Sequence, residues 1–163
     1  MEDIGMKTLI VYYSGKGFIK EAAERIQKGL GSSGALLDLG SKSKADLTEY
    51  DAVVLCGAFR AGSQPRKIKT FAKKNSKQLL TKKIAFVLGG LGVEQEEYKL
   101  PFEKNFAEDL RSHALLSVHA GGRFIPEDYS GFIRKMMEKI NKESGPIHKE
   151  QWDNLKPVVE AFS

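Results

Sequence analysis

An apolar run that stops at glycine and resumes at helical spacing leaves a chain few folding options. Leu9-Ile10-Val11-Tyr12-Tyr13 is such a run. Ser14-Gly15-Lys16-Gly17 interrupts it, and Ile19, Ala22, Ala23 and Ile26 then recur at the spacing of one helix face. The stretch predicts a buried strand, a glycine turn and a helix. A turn between a strand's carboxyl end and a helix's amino end gathers free backbone N–H groups and the positive end of the helix dipole. It therefore favours an anion.

The pattern recurs. Ala35–Leu39, Asp51–Cys56, Ile84–Leu88 and Leu115–Ala120 read as further strands, with helical spacing between most of them. Ile68, Phe71 and Ala72 mark a helix inner face after a cap at Ser63 and a first-turn Pro65. Phe102, Phe106 and Leu110 mark a helical region at about 94–112, which Pro101 starts or kinks. Gly121-Gly122-Arg123-Phe124 leaves the sheet. A helix over 127–142 should turn Phe132, Ile133, Met136, Met137 and Ile140 inward. The last element, 149–162, carries Trp152, Leu155, Val159 and Phe162 on one side, with Pro157 interrupting it.

Apolar strands alternating with helices imply a parallel sheet covered on both faces. The expected architecture is one α/β domain over 1–163, a three-layer sandwich with a five-stranded sheet of order 2-1-3-4-5. Right-handed crossovers put every strand-to-helix loop at one edge. Three glycine-bearing loops meet there: Ser14–Gly17, Ala58–Gly62 and Gly89–Gly92. Ligands of such sheets bind where strand order reverses, here between the first and third strands.

Several chemistries fail on spacing. Gly15-Lys16-Gly17 supplies G-x-G, but Lys20 stands where a dinucleotide fingerprint needs its third glycine; Asp38 alone suits a ribose contact. No P-loop and no G-x-S-x-G elbow occurs. Cys56 is the only cysteine and reads as a small core filler. His113, His119 and His148 are too scattered for a metal centre. No residue takes the role of general acid or base.

Order and spacing together say more than any single motif. Lys7–Ser14 with Gly17 and Tyr50–Gly57 followed by Arg60-Ala61-Gly62 resemble the flavodoxin superfamily. So do Phe71–Asn75, Lys82–Phe86 and Gly121–Phe124 ahead of a methionine-rich helix. The chain is similar to the branch that includes menaquinone-dependent protoporphyrinogen dehydrogenase, from Met6 to about Lys142. The resemblance implies an FMN-binding oxidoreductase or electron-transfer protein, with FMN at the sheet's carboxyl edge.

Position by position, the resemblance assigns Ser14, Gly15, Lys16, Gly17, Phe18 and Ile19 to the FMN phosphate. It assigns Ala58, Phe59, Arg60, Ala61 and Gly62 to the isoalloxazine, with Phe59 stacking and Arg60 near the electron-rich edge. Gly90, Leu91 and Gly92 let the backbone approach the ring. Ser14 and Gly17 match the family pattern. Phe18 and Ile19 stand where the family usually offers hydroxyls, and a hydrogen bond to a charged group contributes ~1.5–3 kcal/mol. Lys16 offsets part of that loss as a point charge. Two readings stay open: an FMN enzyme, or a flavodoxin-fold interaction module whose degenerate loop binds FMN weakly or not at all.

Charge narrows the partner. The formal net charge is +5, and residues 66–83 hold Arg66, Lys67, Lys69, Lys73, Lys74, Lys77, Lys82 and Lys83 without one acid. Electron-shuttling flavodoxins are typically acidic, so this balance points to an anionic small-molecule or quinone redox partner, or to peripheral contact of 66–83 with an anionic membrane. The basic residues lack interleaved aromatic platforms, which argues against nucleic acid. No apolar run approaches the ~20 residues a membrane span needs. The first residues lack the basic and apolar regions of a signal peptide. The expectation is a cytoplasmic protein with a loose leader at 1–5.

Overall fold

Each apolar run becomes a strand, and helices cover the resulting sheet on both sides. The computed structural model describes residues 6–13, 17–42, 44–58, 66–90, 99–124, 131–140 and 147–163. The expected leader, the Ser63 cap and Pro65 lie outside them. β1 (Thr8–Tyr12), β2 (Gly34–Asp38), β3 (Ala52–Ala58), β4 (Lys83–Gly89) and β5 (Leu116–His119) form one sheet in the order β2-β1-β3-β4-β5. All of its pairs are parallel, as the sequence predicts.

The alternation of side chains divides the core in two. Leu9, Val11, Val53, Leu55, Ile84, Phe86 and Leu88 face one side. They pack under α2 (Arg66–Lys74), α3 (Ser76–Leu79), α4 (Lys99–Asn105) and α5 (Glu108–His113). Ile10, Tyr12, Ala52, Val54, Cys56, Ala85 and Val87 face the other. There they meet α1 (Phe18–Leu30) and α7 (Lys156–Phe162). Fully burying one large aliphatic or aromatic side chain contributes ~1.5–3 kcal/mol, so the central strands hold the domain together.

Four elements depart from the sequence reading. β3 continues through Gly57 and Ala58, because β4 extends beside it and pairs Ala58 with Gly89. The expected helix over 94–112 is two helices; residues 94–98 lie outside the described ones. Ala107 is extended, with φ −62° and ψ 147°, and Arg111 Nε donates to the Phe106 carbonyl at the break. Phe102, Phe106 and Leu110 still reach one core, since Phe106 and Leu110 are buried and Phe102 packs against them. Pro101 sits in the first turn of α4, where its missing N–H costs nothing.

The third departure is β6 (Gly121–Phe124), which pairs antiparallel with β7 (Ile147–Glu150) as a separate two-stranded sheet. A 3-10 turn at Trp152–Leu155 and then α7 follow, with Pro157 in the first helical turn. On α7 Val158 and Phe162 are fully buried, while Val159 packs at the margin. The fourth is α6 (Gly131–Ile140), which turns Phe132 and Met136 outward at 78% and 44% exposure, against expectation. In sequence it lies between the strands of the outer pair. The side chains of Ile133, Met137 and Ile140 lie outside the described ones.

The β6–β7 pair is held by a close backbone approach. Gly121 has φ +80°, and a Cβ there would stand 2.1 Å from the Lys149 carbonyl oxygen and 2.9 Å from the Gln151 nitrogen. Gly121→Ala therefore separates β6 from β7 and should cost about 2 kcal/mol or more, read by chemical denaturation; a neutral effect contradicts this packing. A second test lies at the start of β1. The Thr8 hydroxyl is buried without a hydrogen-bond partner among the described residues. Thr8→Val keeps the shape and removes that group, so it should raise stability by roughly 1 kcal/mol.

Candidate functional site

The parallel register brings the strand ends together. Tyr12 stands beside Cys56. Ala58 stands beside Gly89, and Leu88 beside His119. The segments that leave β1, β3 and β4 therefore emerge side by side at the sheet's carboxyl edge. β1 is flanked by β2 on one side and β3 on the other, so the crevice of reversal opens at this edge. Of the residues assigned from sequence, Gly17, Phe18, Ile19, Ala58 and Gly90 are described here. Ser14, Gly15, Lys16, Phe59, Arg60, Ala61, Gly62, Leu91 and Gly92 lie outside the described residues.

Gly17 enters α1 with φ 96°, a value that side chains rarely allow, and its carbonyl accepts from Glu21 N. Ile19 is 3% exposed and belongs to the inner face of α1 with Ala22, Ala23 and Ile26. Phe18 stacks on Trp152, with ring centroids 5.1 Å apart and planes inclined by 22°. Its ring also covers the end of β4: a Cβ on Gly89 would lie 2.5 Å from Phe18 Cε1. Gly90 N then donates to the Gly121 carbonyl at 2.9 Å. The first and third edge segments are thus fastened to each other through Phe18, Gly89 and the start of β6.

The chain's last segment completes this fastening. Gln151 N donates to the Ala120 carbonyl at 2.8 Å. Asn154 Nδ2 donates to the His119 carbonyl at 2.7 Å. The Arg25 guanidinium lies 4.4 Å from the Trp152 ring centre, a cation–π contact. Phe18, Glu21 and Arg25 follow at i, i+3 and i+7, so one stripe of α1 carries the whole contact. Sequence periodicity missed this cluster, because it reads Trp152 as one more core residue and treats Glu21 and Arg25 as solvated. The chain's single tryptophan facing an i, i+3, i+7 aromatic–acid–cation stripe was the available signal.

Electrostatics at the head of α1 follow from one carboxylate. Glu21 accepts from Arg123 at 2.7 Å and from Arg25 Nε at 2.9 Å. Partial burial opposes its ionisation. The hydrogen bonds and charges of Arg123 and Arg25 outweigh that, and its pKa falls below the ordinary glutamate value. A bare carboxylate in the first helical turn would repel an anion bound at the same helix end. Here two guanidinium groups offset its charge. Tyr12 stays a neutral phenol, its pKa raised by burial and then by the charges of Asp38 and Glu24. Burial pushes the Cys56 thiol far up as well, which makes it a filler and no nucleophile. Among the described residues, no group of histidine, cysteine, aspartate and glutamate could hold a metal ion. No helix among them is long and apolar enough to cross a membrane.

A five-stranded parallel sheet of this order, with the ends of β1, β3 and β4 side by side at its carboxyl edge, defines a flavodoxin-like α/β protein. The model of the flavodoxin domain family matches residues 9–150, and the chain belongs to that family. Among solved structures it is similar to oxidised flavodoxin 1 from Bacillus cereus, at 16% identity and TM-score 0.54, over 83% of this chain and 95% of that one. A flavoprotein from Lactobacillus acidophilus, solved in complex with FMN, is 19% identical at TM-score 0.53, over 70% and 93%. A WrbA-like flavodoxin from Agrobacterium tumefaciens is 15% identical at TM-score 0.53, over 97% and 99%. Likeness at this identity speaks for the fold. No curated protein matches the chain.

The Glu21 network sets a pH dependence. A carboxylate whose folded pKa is depressed contributes stability above its unfolded pKa, and that contribution is lost as pH falls through the folded value. Glu21→Gln should therefore lower stability at neutral pH by less than about 1 kcal/mol, since the pair is partly solvent-screened. The gap to the parent chain should close on acidification below about pH 4. Urea unfolding of both proteins across this range checks it; a gap that stays constant with pH contradicts it.

Proposed function

We propose that this protein is an FMN-dependent oxidoreductase of the flavodoxin type. The observation that carries the reading is the strand order β2-β1-β3-β4-β5, with the ends of β1, β3 and β4 side by side at one edge, in a chain of the flavodoxin family. Bound FMN supplies the redox chemistry itself. The chain's own residues bind and orient it. The head of α1, with Glu21 offset by Arg25 and Arg123, receives the phosphate. Ala58 at the end of β3 and Gly90 just after β4 are small residues that leave room for the ring. Phe59 and Arg60, from the segment after β3, contact the ring, and Arg60 favours negative charge on it. The resemblance to the protoporphyrinogen dehydrogenase branch and the net charge of +5 favour an organic donor with carboxylate groups and a quinone acceptor.

One observation favours a second reading, in which the chain is an interaction module with a weakened cofactor site. Ile19 is buried and Phe18 stacks on Trp152, so neither side chain offers an oxygen or nitrogen to a phosphate. Each missing hydrogen bond to a charged group forfeits ~1.5–3 kcal/mol. The two readings separate in one titration of purified protein with FMN and riboflavin, followed by quenching of flavin fluorescence. The first expects uptake of both, with FMN preferred by less than about a hundredfold because the head of α1 holds phosphate chiefly through backbone groups. Absence of uptake at high micromolar FMN overturns it in favour of the module.

A further inference from the structure

We propose that the groove between α2 and the α4–α5 corner receives an acidic segment of a protein partner. The groove encloses about 380 Å³. Arg66, Lys69 and Lys73 line one wall. They stand at i, i+3 and i+7 on α2, one side of a helix, and span roughly 10 Å at 1.5 Å per residue. That span is about one Debye length at physiological salt, so the three charges act on a bound anion together. Asn105 and Asp109 line the far wall. Among the described residues, none of the three cations has a carboxylate within ion-pair distance; Asp109 instead accepts from Leu110 N at 2.8 Å.

The chemistry of the groove selects its occupant. Its floor is formed by Ala72, Phe106 and Leu110, which are 2%, 5% and 1% exposed. The open lining is mostly apolar, with polar groups from Thr70 and Ser76, so an occupant gains contact with carbon as well as the charge of the three cations. A flat bilayer cannot follow a concave wall between two helices. Among the described residues, none of the exposed large apolar ones, Tyr13, Leu36, Leu115, Phe132 and Met136, belongs to α2 or α3, so these two helices offer none of them to insert into lipid. A polypeptide does fit: carboxylates three and four residues apart on a partner helix repeat at the spacing of Arg66, Lys69 and Lys73. The absence of acids from 66–83 extends the positive field beyond the groove and speeds such an encounter. The proposal does not depend on the cofactor reading.

The test is fluorescence anisotropy of a labelled helical peptide bearing glutamates at i, i+3 and i+7, titrated with three proteins. These are the parent chain, Lys69→Gln with Lys73→Gln, and a charge-matched control, Lys28→Gln with Lys139→Gln, whose lysines are exposed elsewhere. The groove pair should weaken peptide binding about tenfold and the control less than about twofold, with thermal unfolding showing all three folded. Binding by the parent chain should also fall steeply with added salt. Equal losses in both pairs would assign the effect to net charge and overturn the proposal. So would an unaffected groove pair. Sedimentation with phosphatidylglycerol vesicles is the last arm: vesicle binding lost in the groove pair, with no peptide binding by the parent, assigns the face to membrane instead. Flavin uptake by the same three proteins is read separately, so failure of the groove and failure of the cofactor site are distinguishable.

Discussion

The pairing of β1 with β3, across which strand order reverses, is the constraint on which the rest of the molecule depends. Both strands are buried on both faces, so every backbone N–H and C=O in them must be paired within the sheet. Parallel pairing requires a crossover between successive strands, and right-handed crossovers place α1 on one side and α2 on the other. One consequence is a core in two halves, with Val11 and Leu55 facing α2 while Ile10 and Val54 face α1. The other is an edge at which the strand ends at Tyr12, Ala58 and Gly89 stand close together. The candidate site is therefore a product of the same pairing that stabilises the domain.

What the sequence discloses follows from the range over which each signal acts. Strands such as Val53–Cys56 are legible because burial on both faces demands an uninterrupted apolar run, which is a local property. The break at Ala107 is not legible: Phe102, Phe106 and Leu110 keep a four-residue repeat straight through it, since each reaches the same core from either helix. The β6–β7 pair is invisible for a related reason. Its strands are four residues each and more than twenty residues apart, and one of them contains Gly121-Gly122. The outward turn of Phe132 shows the opposite limit. Periodicity identifies an apolar helix side but says nothing about whether the topology places a partner over it.

The head of α1 joins stability to function. Hydroxyl side chains there would satisfy a phosphate and contribute little to packing. Phe18 and Ile19 do the reverse: Ile19 fills the core, and Phe18 fastens Gly89 and Trp152 to the first turn. The junction between two edge segments thus rests on side chains that offer no hydrogen bond to an anion. Rigidity has a functional value of its own, because a site fixed before binding loses less entropy when its ligand arrives. Whether the exchange favours a ligand depends on how much of the affinity comes from the phosphate and how much from the ring.

Charge is managed differently at the two ends of this architecture. Beside the candidate site Glu21 is met by Arg25 and Arg123, and Arg25 lies against Trp152, so the network is local and self-compensating. Among the described residues the cations on α2 have no carboxylate within ion-pair distance, and their mutual repulsion is a standing cost to folding that solvent only partly screens. Gln78 and Thr81 show that neutral polar residues are accommodated at exposed positions of the same segment, so solubility alone does not require a lysine at every such place. An uncompensated positive wall is removed most cheaply by a negative surface that arrives from outside. That relief is available only to a partner whose carboxylates match the spacing of Arg66, Lys69 and Lys73, which makes the cost in the free protein a source of selectivity in the complex.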